Sequence, residues 1–514
     1  MPKTDVLIAG AGPTGLVLAL WLARQGIKVR IIDRNTEPGQ TSRAMAVQAR
    51  TLELYRQLDL ADAVVEAGHR NPTVNLWVRG KQRASVSLAE AGSDLTPYPF
   101  LLVYPQDQHE RLLVDRLQAM GVTVERQTEL LSFAGEHDRM VARLRLPDGR
   151  EQACEARYLA GCDGARSPIR HQLGIGFEGG TYKQVFYVAD VELSGLEPGS
   201  GLHIVLDSAD FVAVLPYGHD GGYRLIGTIR DERADKAEAL DFSDIDQQAI
   251  DGLGITIEAK NWFSTYRVHH RVADRFRHGR AFLLGDAAHV HSPAGGQGMN
   301  TGINDAINLA WKLAAVVKGE APDGLLDSYE PERQAFARKL VATTDRLFTF
   351  ASSDGNFAEF VRTRLAPLFA SVAFRMEGVR EFMFRMVSQI MVSYPDSPLS
   401  VGTAGKVQAG DRLPFVRFDG HDNYGPLSDI GWQVHVYGGA SDELRRWCRA
   451  RRIALHCFPW SDSCEAAGLA RDAAYLLRPD TYVGLAEQGG RADALEAYLA
   501  ERAIFPGGDV AGSA

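Results

Sequence analysis

Val6 to Ala23 reads VLIAGAGPTGLVLALWLA, eighteen residues without a charge and with Gly10, Gly12, Pro13 and Gly15 near the middle. That length would suit a membrane span, but glycine and proline at the centre interrupt a single helix, and Asp5 stands just before it. The pattern predicts a strand over Asp5 to Ala9, a tight turn, and a helix from Leu16 to Arg24 that is apolar nearly all round, as in a covered parallel sheet. No membrane partner is expected. Val29 to Ile32 reads as the next strand, ended by Asp33. Gly10-Ala-Gly12-Pro-Thr-Gly15 matches GxGxxG: the glycines permit a tight turn, close approach of a pyrophosphate and close helix–strand packing, and the helix N-terminus points unpaired N–H groups at the phosphates. Asp33, eighteen residues beyond Gly15, is placed to accept hydrogen bonds from an adenosine ribose. This unit predicts a dinucleotide and leaves NAD and FAD both open.

A chain of 514 residues implies two to four domains. Acidic residues outnumber basic ones, 65 to 56, which argues against nucleic acid as main partner. The cysteines (Cys154, Cys162, Cys448, Cys457, Cys464) are odd in number and form no CxxC, so zinc and disulfide frameworks are not expected and a cytoplasmic location is.

A second glycine loop decides between the two dinucleotides. Residues 282–311 read FLLGDAAHVHSPAGGQGMNTGINDAINLAW. An NAD enzyme needs no second loop for its one cofactor, whereas the ribityl chain and flavin ring of FAD extend well past the pyrophosphate. Asp286, at the end of a strand over Ala281 to Leu284, is placed to accept from ribityl hydroxyls. Pro293 to Asn300 then forms a loop that closes on the flavin, and a helix from about Thr301 aims its positive end at the pyrimidine side of the ring. His289 and His291 lack a third ligand nearby. No metal is expected, and His289 is read as ordering the loop.

GRAFLLGDAAHVHSPAGGQGMNTGINDAINLAWKLA resembles the GD motif of FAD-dependent aromatic hydroxylases of the para-hydroxybenzoate and phenol hydroxylase type. GCDGARSPIR at 161–170 resembles their DG motif, PQDQHERLL at 105–113 their PQxxxE helix, and DSYEPERQ at 327–334 is also similar. The resemblance covers roughly residues 4 to 400. It implies FAD contacts at Gly12, Thr14, Gly15, Asp33, Arg34, Arg43, Gln106, Asp163, Asp286, Pro293, Gly296, Gly298, Met299 and Asn300. Asp33, often Glu in the family, is a mild departure. The DG motif is implied to serve both FAD and reduced nicotinamide, with Arg166 attracting phosphates and Ser167 capping the next helix. The simpler reading is that Asp163 and Arg166 merely pair. No second Rossmann unit is visible, so NADPH or NADH is expected to bind transiently. Arg43 in QTSRAMAV is implied to lie along the ring and help it swing between reducing and oxygenating positions.

The activity implied is hydroxylation of a phenolic ring with O2, through a flavin C4a-hydroperoxide from which water must be excluded. A flavin reductase on the same scaffold and a non-catalytic protein that holds a polyketide intermediate are the rival readings; the WxWxIP segment of a halogenase is missing. Strands over Val74–Val78, Ser85–Leu88, Phe100–Tyr104, Val185–Leu193, Leu202–Val205, Phe211–Leu215 and Tyr223–Ile229 are expected to form one sheet over the flavin. Phe211 to Leu215 alternates too weakly to show which face meets ligand. Tyr217, Tyr104, His203 and Arg224 are polar candidates for the phenol, weighed against packed core roles. Arg43, Pro293 and Tyr217 are the expected catalytic residues. Met383, Met386 and Met391 are read as packing. Beyond residue 400 a small α/β unit resembles the thioredoxin-like tail of phenol hydroxylase relatives without its CxxC, with a structural or homodimer-contact role.

The expected architecture is therefore α/β: a Rossmann-like FAD-binding domain (1–75, 105–180 and 270–395), an inserted mixed β-sheet substrate domain (76–104 and 181–269), and a thioredoxin-like domain (400–514).

Overall fold

Lys3–Ala9 is the centre of an eight-stranded sheet. It runs parallel to Val29–Ile32 on one side and to Glu151–Gly161 on the other. Val124–Glu125 extends the sheet beyond the first neighbour, and Ala281–Leu283 extends it in parallel beyond the second. Glu129–Glu136 and Arg139–Arg145 form an antiparallel meander on Glu151–Gly161. The computed structural model describes residues 3–39, 44–197, 199–206, 211–217, 221–229, 240–245, 248–292, 296–352 and 376–508. Val6, Leu7 and Ile8 are fully buried, in one core with Val17, Leu20 and Trp21 of the following helix and Met140, Ala142 and Leu144 of the meander. Helix Pro13–Arg24 buries every residue from Gly15 to Leu22, and packs against helices Gly298–Val317 and Gln106–Ala119. Among the described residues, no helix is long and apolar enough to cross a membrane.

A second eight-stranded sheet takes the order His289–Val290, Thr256–Ala273, Phe177–Ser194, Gly222–Ile229, Phe211–Tyr217, Leu202–Leu206, Thr73–Val78, Lys81–Ser87. Its alternation separates two faces. Tyr187, Ala189, Val191, Val205, Val212, Val214 and Leu225 pack beneath Ile245, Ile250, Leu253 and Ile255. Leu202, Ile204, Phe211, Ala213, Leu215 and Ile226 point the other way, onto Met45, Ala46, Leu101, Val103 and Phe384. The expected strand over Phe100–Tyr104 does not join this sheet. Leu101–Val103 lies between Ala46–Val47 and His69–Asn71 in a sheet of three, since its hydrogen bonds are taken by segments flanking the first glycine unit. The strand expected over Ser85–Leu88 starts earlier, at Lys81, and stops at Ser87, whose hydroxyl caps helix Leu88–Gly92 by accepting from Glu90 N.

In the last hundred residues, Gln433–Tyr437 runs parallel to Ala454–Phe458 across helix Asp442–Arg451, and antiparallel to Ala474–Leu477, which pairs with Val483–Glu487 before helix Ala492–Glu501. The turn Arg478-Pro-Asp480-Thr481 is pushed into the first part of the chain. Arg478 donates to both oxygens of Glu332 (2.7 and 3.0 Å) and to Asp480. Lys312 Nζ donates to Glu332 (2.8 Å), and Trp311 Nε1 to Asp480 (3.0 Å). Arg50 reaches the Asp480 carbonyl and Thr481, while Arg412 pairs with Glu53. Lys312, Glu332 and Arg478 have no solvent-exposed side-chain surface. The cluster Lys312, Arg478, Glu332 and Asp480 balances its charge. Balance and hydrogen bonds are what make such burial tolerable.

Candidate active site

The carboxyl ends of Lys3–Ala9, Glu151–Gly161 and Ala281–Leu283 lie side by side, and the three glycine-bearing turns follow from them. Their contact is tight enough to exclude side chains. Gly10 has φ +106°, and a Cβ there would overlap the carbonyl oxygen of Cys162; a Cβ on Gly15 would overlap that of Gly10. Gly285 and Gly302 both back onto Thr14: a Cβ at Gly285 would lie 2.7 Å from its hydroxyl, and one at Gly302 would overlap it. Turns that are some 150 and 275 residues from the first one in sequence thus close on it in space. Gly12 differs. It caps helix Pro13–Arg24 without a side-chain partner, and among the described residues nothing lies within 4 Å of a Cβ placed on it. The first N–H groups of the helix face that space.

Asp33 Oδ2 accepts from Ala11 N (2.7 Å) and Oδ1 from Asn35 N (2.8 Å), so the acid also braces the first turn. Arg34 beside it is exposed. Gln106 begins its helix and donates to Glu110 (2.8 Å), whose other oxygen accepts from Gly39 N. In the second turn, Asp163 Oδ2 accepts from Ile169 N (3.1 Å), and Oδ1 is buried with no hydrogen-bond partner among the described residues. Burial pushes this carboxyl's pKa up, against the pull of Ser167 and the Ile169 N–H. Among the described residues no ion pair joins Asp163 to Arg166, which is exposed. Ser167 caps the following helix through Arg170 N (3.0 Å). Arg170, not singled out from sequence, ties the turns together by donating to Ala287 O (2.9 Å) and Ala165 O (2.8 Å).

Asp286 sits exposed in the third turn, Gly285–Ala287. Beneath it lies Asp305, fully buried, accepting from Gly285 N (3.0 Å), His289 Nε2 (2.7 Å) and Arg333 Nε (2.6 Å). Burial opposes its ionisation, but Arg333 and His289 hold its pKa low. Asp305 and Arg333 were also missed; their signal was the DSYEPERQ segment, which carries Arg333. Gly296 (φ +62°) leaves 2.5 Å between a Cβ of its own and Ala46 Cβ. Asn300 fixes that loop: its side chain accepts from Gln48 N and Thr51 and donates to Ala46 O and Gly296 O. The helix starts at Gly298, earlier than expected, so Gly298 and Met299 present its first N–H groups. Arg43 and Pro293 lie outside the described residues, as does the side chain of Tyr217, which ends its strand.

The other polar candidates are committed within the protein. Tyr104 donates to Gln108 O (3.2 Å). His203 lies between Trp77 Nε1 (3.0 Å) and Ser200 Oγ (2.9 Å), on the sheet face turned away from the glycine turns. Arg224 forms a two-pronged pair with Asp190 (2.6 and 2.7 Å). Among the described residues no group of three His, Cys, Asp or Glu could hold a metal ion.

The family model described as FAD binding domain matches residues 3–344. The chain belongs to the FAD-dependent aromatic hydroxylases. This hydroxylase is 34% identical to 6-methylpretetramide 4-monooxygenase of Streptomyces rimosus, across 98% of its own length and 95% of the relative's. It is also 34% identical to pentachlorophenol 4-monooxygenase of Sphingobium chlorophenolicum, with 93% of each chain covered. A solved ternary complex of aklavinone-11 hydroxylase with FAD and aklavinone superposes with a TM-score of 0.78 at 26% identity, over 98% of this chain and 99% of that one. The residues present fit FAD: open helix N–H groups at Gly12, an orphaned oxygen on Asp163, and three turns in contact.

Two histidines, His109 buried and His291 half-buried, give the hydroxylase an acid limit. His109, bonded to the Tyr55 hydroxyl (2.9 Å), has its pKa pulled down by burial to about 4. Burial, helped by neighbouring His289, does the same to His291, also to about 4. Because the folded values lie below the ordinary 6.5, stability is complete above about pH 6.5 and declines as pH falls toward 4. Urea unfolding at stepped pH is expected to show a loss on the order of 2–3 kcal/mol per histidine across that window. His109→Gln should remove its share.

Proposed function

We propose that this enzyme hydroxylates a phenolic ring, on a small phenol or an aromatic polyketide, with O2 as oxidant and NADPH or NADH as donor. The observation that carries this is the meeting of the three turns beside an apolar sheet face, Leu202, Ile204, Phe211, Ala213, Leu215 and Ile226. The aklavinone complex and the 6-methylpretetramide and pentachlorophenol relatives support the aromatic class. When bound, FAD supplies two-electron transfer and activation of O2.

The rest falls to the chain. Gly10, Gly12, Thr14 and Gly15 shape the pyrophosphate turn, with Asp33 and Arg34 at the ribose and Gln106 at the sugar-phosphate. Asp163 and Arg166 serve flavin and nicotinamide, and Asp286 accepts from ribityl hydroxyls. Gly296, Gly298, Met299 and Asn300 lay a helix N-terminus against the flavin's pyrimidine edge, where it stabilises negative charge. Pro293 belongs to the same loop, Arg43 attends ring movement, and Tyr217 binds the phenol so as to favour its more nucleophilic phenolate. The apolar face excludes water.

The three-domain division is kept in this proposal, with Leu101–Val103 going to the FAD-binding part and Thr73–Val78 to the substrate sheet. The C-terminal sheet order is compatible with a thioredoxin-like unit, and five unpaired cysteines fit a reducing cytoplasm. A homodimer contact through the C-terminal unit is part of the same reading.

Oxygen uptake and NADPH or NADH oxidation, screened against phenols and aromatic polyketides, test the proposal. A ligand should accelerate both and yield a product heavier by one oxygen atom. Acceleration without oxygenated product would identify a reductase; binding without turnover across the panel would identify a holding protein.

A further inference from the structure

We propose that Arg126 is a further cofactor contact, reading the adenosine half of FAD together with Asp33. The proposal rests on the FAD site described above. Arg126 directly follows the edge strand Val124–Glu125, whose Glu125 lies opposite Ile32. Asp33 N donates to Glu125 O (2.9 Å), Thr128 N to Asp33 O (2.9 Å), and Gln127 N to Asn35 O (3.1 Å), so the two chain ends are stitched together on either side of Arg126. Gln127 holds a left-handed φ of +52°, a conformation a non-glycine residue keeps only where its surroundings enforce it. These contacts place Arg126 beside Asp33 at the carboxyl edge of the parallel sheet, where such folds take their ligands.

The guanidinium is placed but not satisfied. Nη1 lies 3.9 Å from Asp33 Oδ2, too far for a hydrogen bond. Nη2 is buried and has no hydrogen-bond partner among the described residues. Glu110, of the PQxxxE helix, feels the same charge and has its own hydrogen bonds, to Gln106 and Gly39. Asp33 already accepts one backbone N–H on each oxygen. Arg126 is therefore a half-buried donor, its side chain 18% exposed, beside two acids and tightly bonded to neither. An ionised carboxylate only accepts and a guanidinium only donates. Side by side they match a ribose hydroxyl, which gives its proton to Asp33 and takes a hydrogen bond from Arg126. FMN has no adenosine and offers nothing to this pair.

The test is flavin binding to apoprotein, followed by fluorescence, for wild type, Arg126→Met, Arg126→Lys and Asp33→Ala, with apoprotein thermal unfolding as the folding control. Arg126→Met is expected to weaken FAD by roughly 10- to 100-fold, the scale of one charge-assisted hydrogen bond, and to leave FMN unchanged; Arg126→Lys restores part of the FAD affinity. Equal weakening of both flavins, or unchanged FAD affinity in Arg126→Met, overturns the proposal. If Asp33→Ala lowers FAD affinity while Arg126→Met does not, the failure belongs to Arg126 alone. If neither variant changes it, the placement of the adenosine fails as well.

Discussion

Glu332→Ala should lose on the order of 3–5 kcal/mol of folding stability, a large part of what a domain has. Glu332 is the hub of the buried cluster: it accepts from Asn308, Lys312, Ser397 and twice from Arg478. Burial alone would raise its pKa, but Arg478 and Lys312 hold it far below the carboxylate range. Its contribution is thus present above the unfolded value near 4.5 and is lost only in strong acid. Without it, Lys312 keeps no carboxylate at hydrogen-bond distance among the described residues, and burial already draws that amine down to about 8. The double variant Lys312→Met with Glu332→Met leaves Arg478 paired with Asp480 and the charge balanced. It should cost much less than the single change, as expected where an ion pair is removed whole. Urea unfolding followed by circular dichroism and flavin release measures both. Equal destabilisation in the two variants would contradict this account.

The second large effect separates packing from ligand binding within one turn. Gly15→Ala puts a methyl group onto the Gly10 carbonyl oxygen, with both groups locked against Cys162. Apoprotein stability and FAD binding should fall together. Gly12→Ala meets no atom of the described residues within 4 Å, so the apoprotein should unfold at the wild-type temperature. Its methyl group instead occupies space kept for the pyrophosphate, and FAD affinity should drop by about 100-fold, equivalent to losing one or two charge-assisted hydrogen bonds to phosphate. Calorimetry on apoprotein with flavin titration reads both numbers. Retained FAD affinity in Gly12→Ala would place the pyrophosphate elsewhere.

Cofactor architecture was legible in the sequence because glycines serve backbone geometry, which shows locally. The strand–turn–helix at Val6–Ala23 and the strand end before Asp286 needed only short-range patterns. The direction of the sheet faces was not legible. Phe211, Ala213 and Leu215 are as apolar as Val212 and Val214, and only the partners, Phe384 on one side and Ile250 on the other, distinguish them. For His203 and Arg224 the packed core role weighed against ligand binding is the one the structure shows, although nothing local names Trp77 or Asp190 as their partners. Asp305 and Arg333 stayed hidden for the same reason: one lies in a helix that reads as apolar, and the other sits beyond it. Leu101–Val103 was assigned to the wrong sheet because strand pairing is a long-range choice that composition does not record.

The Arg478 anchor also bears on how the protein is made. Lys312 and Glu332 leave the ribosome roughly 150 residues before Arg478, an interval of about 7–30 s at ordinary elongation rates. Until translation reaches that turn, the buried cluster has only two of its four charges, Lys312 and Glu332. The turn made last thus supplies partners to side chains made long before it, Arg50 and Gln57 as well as Glu332.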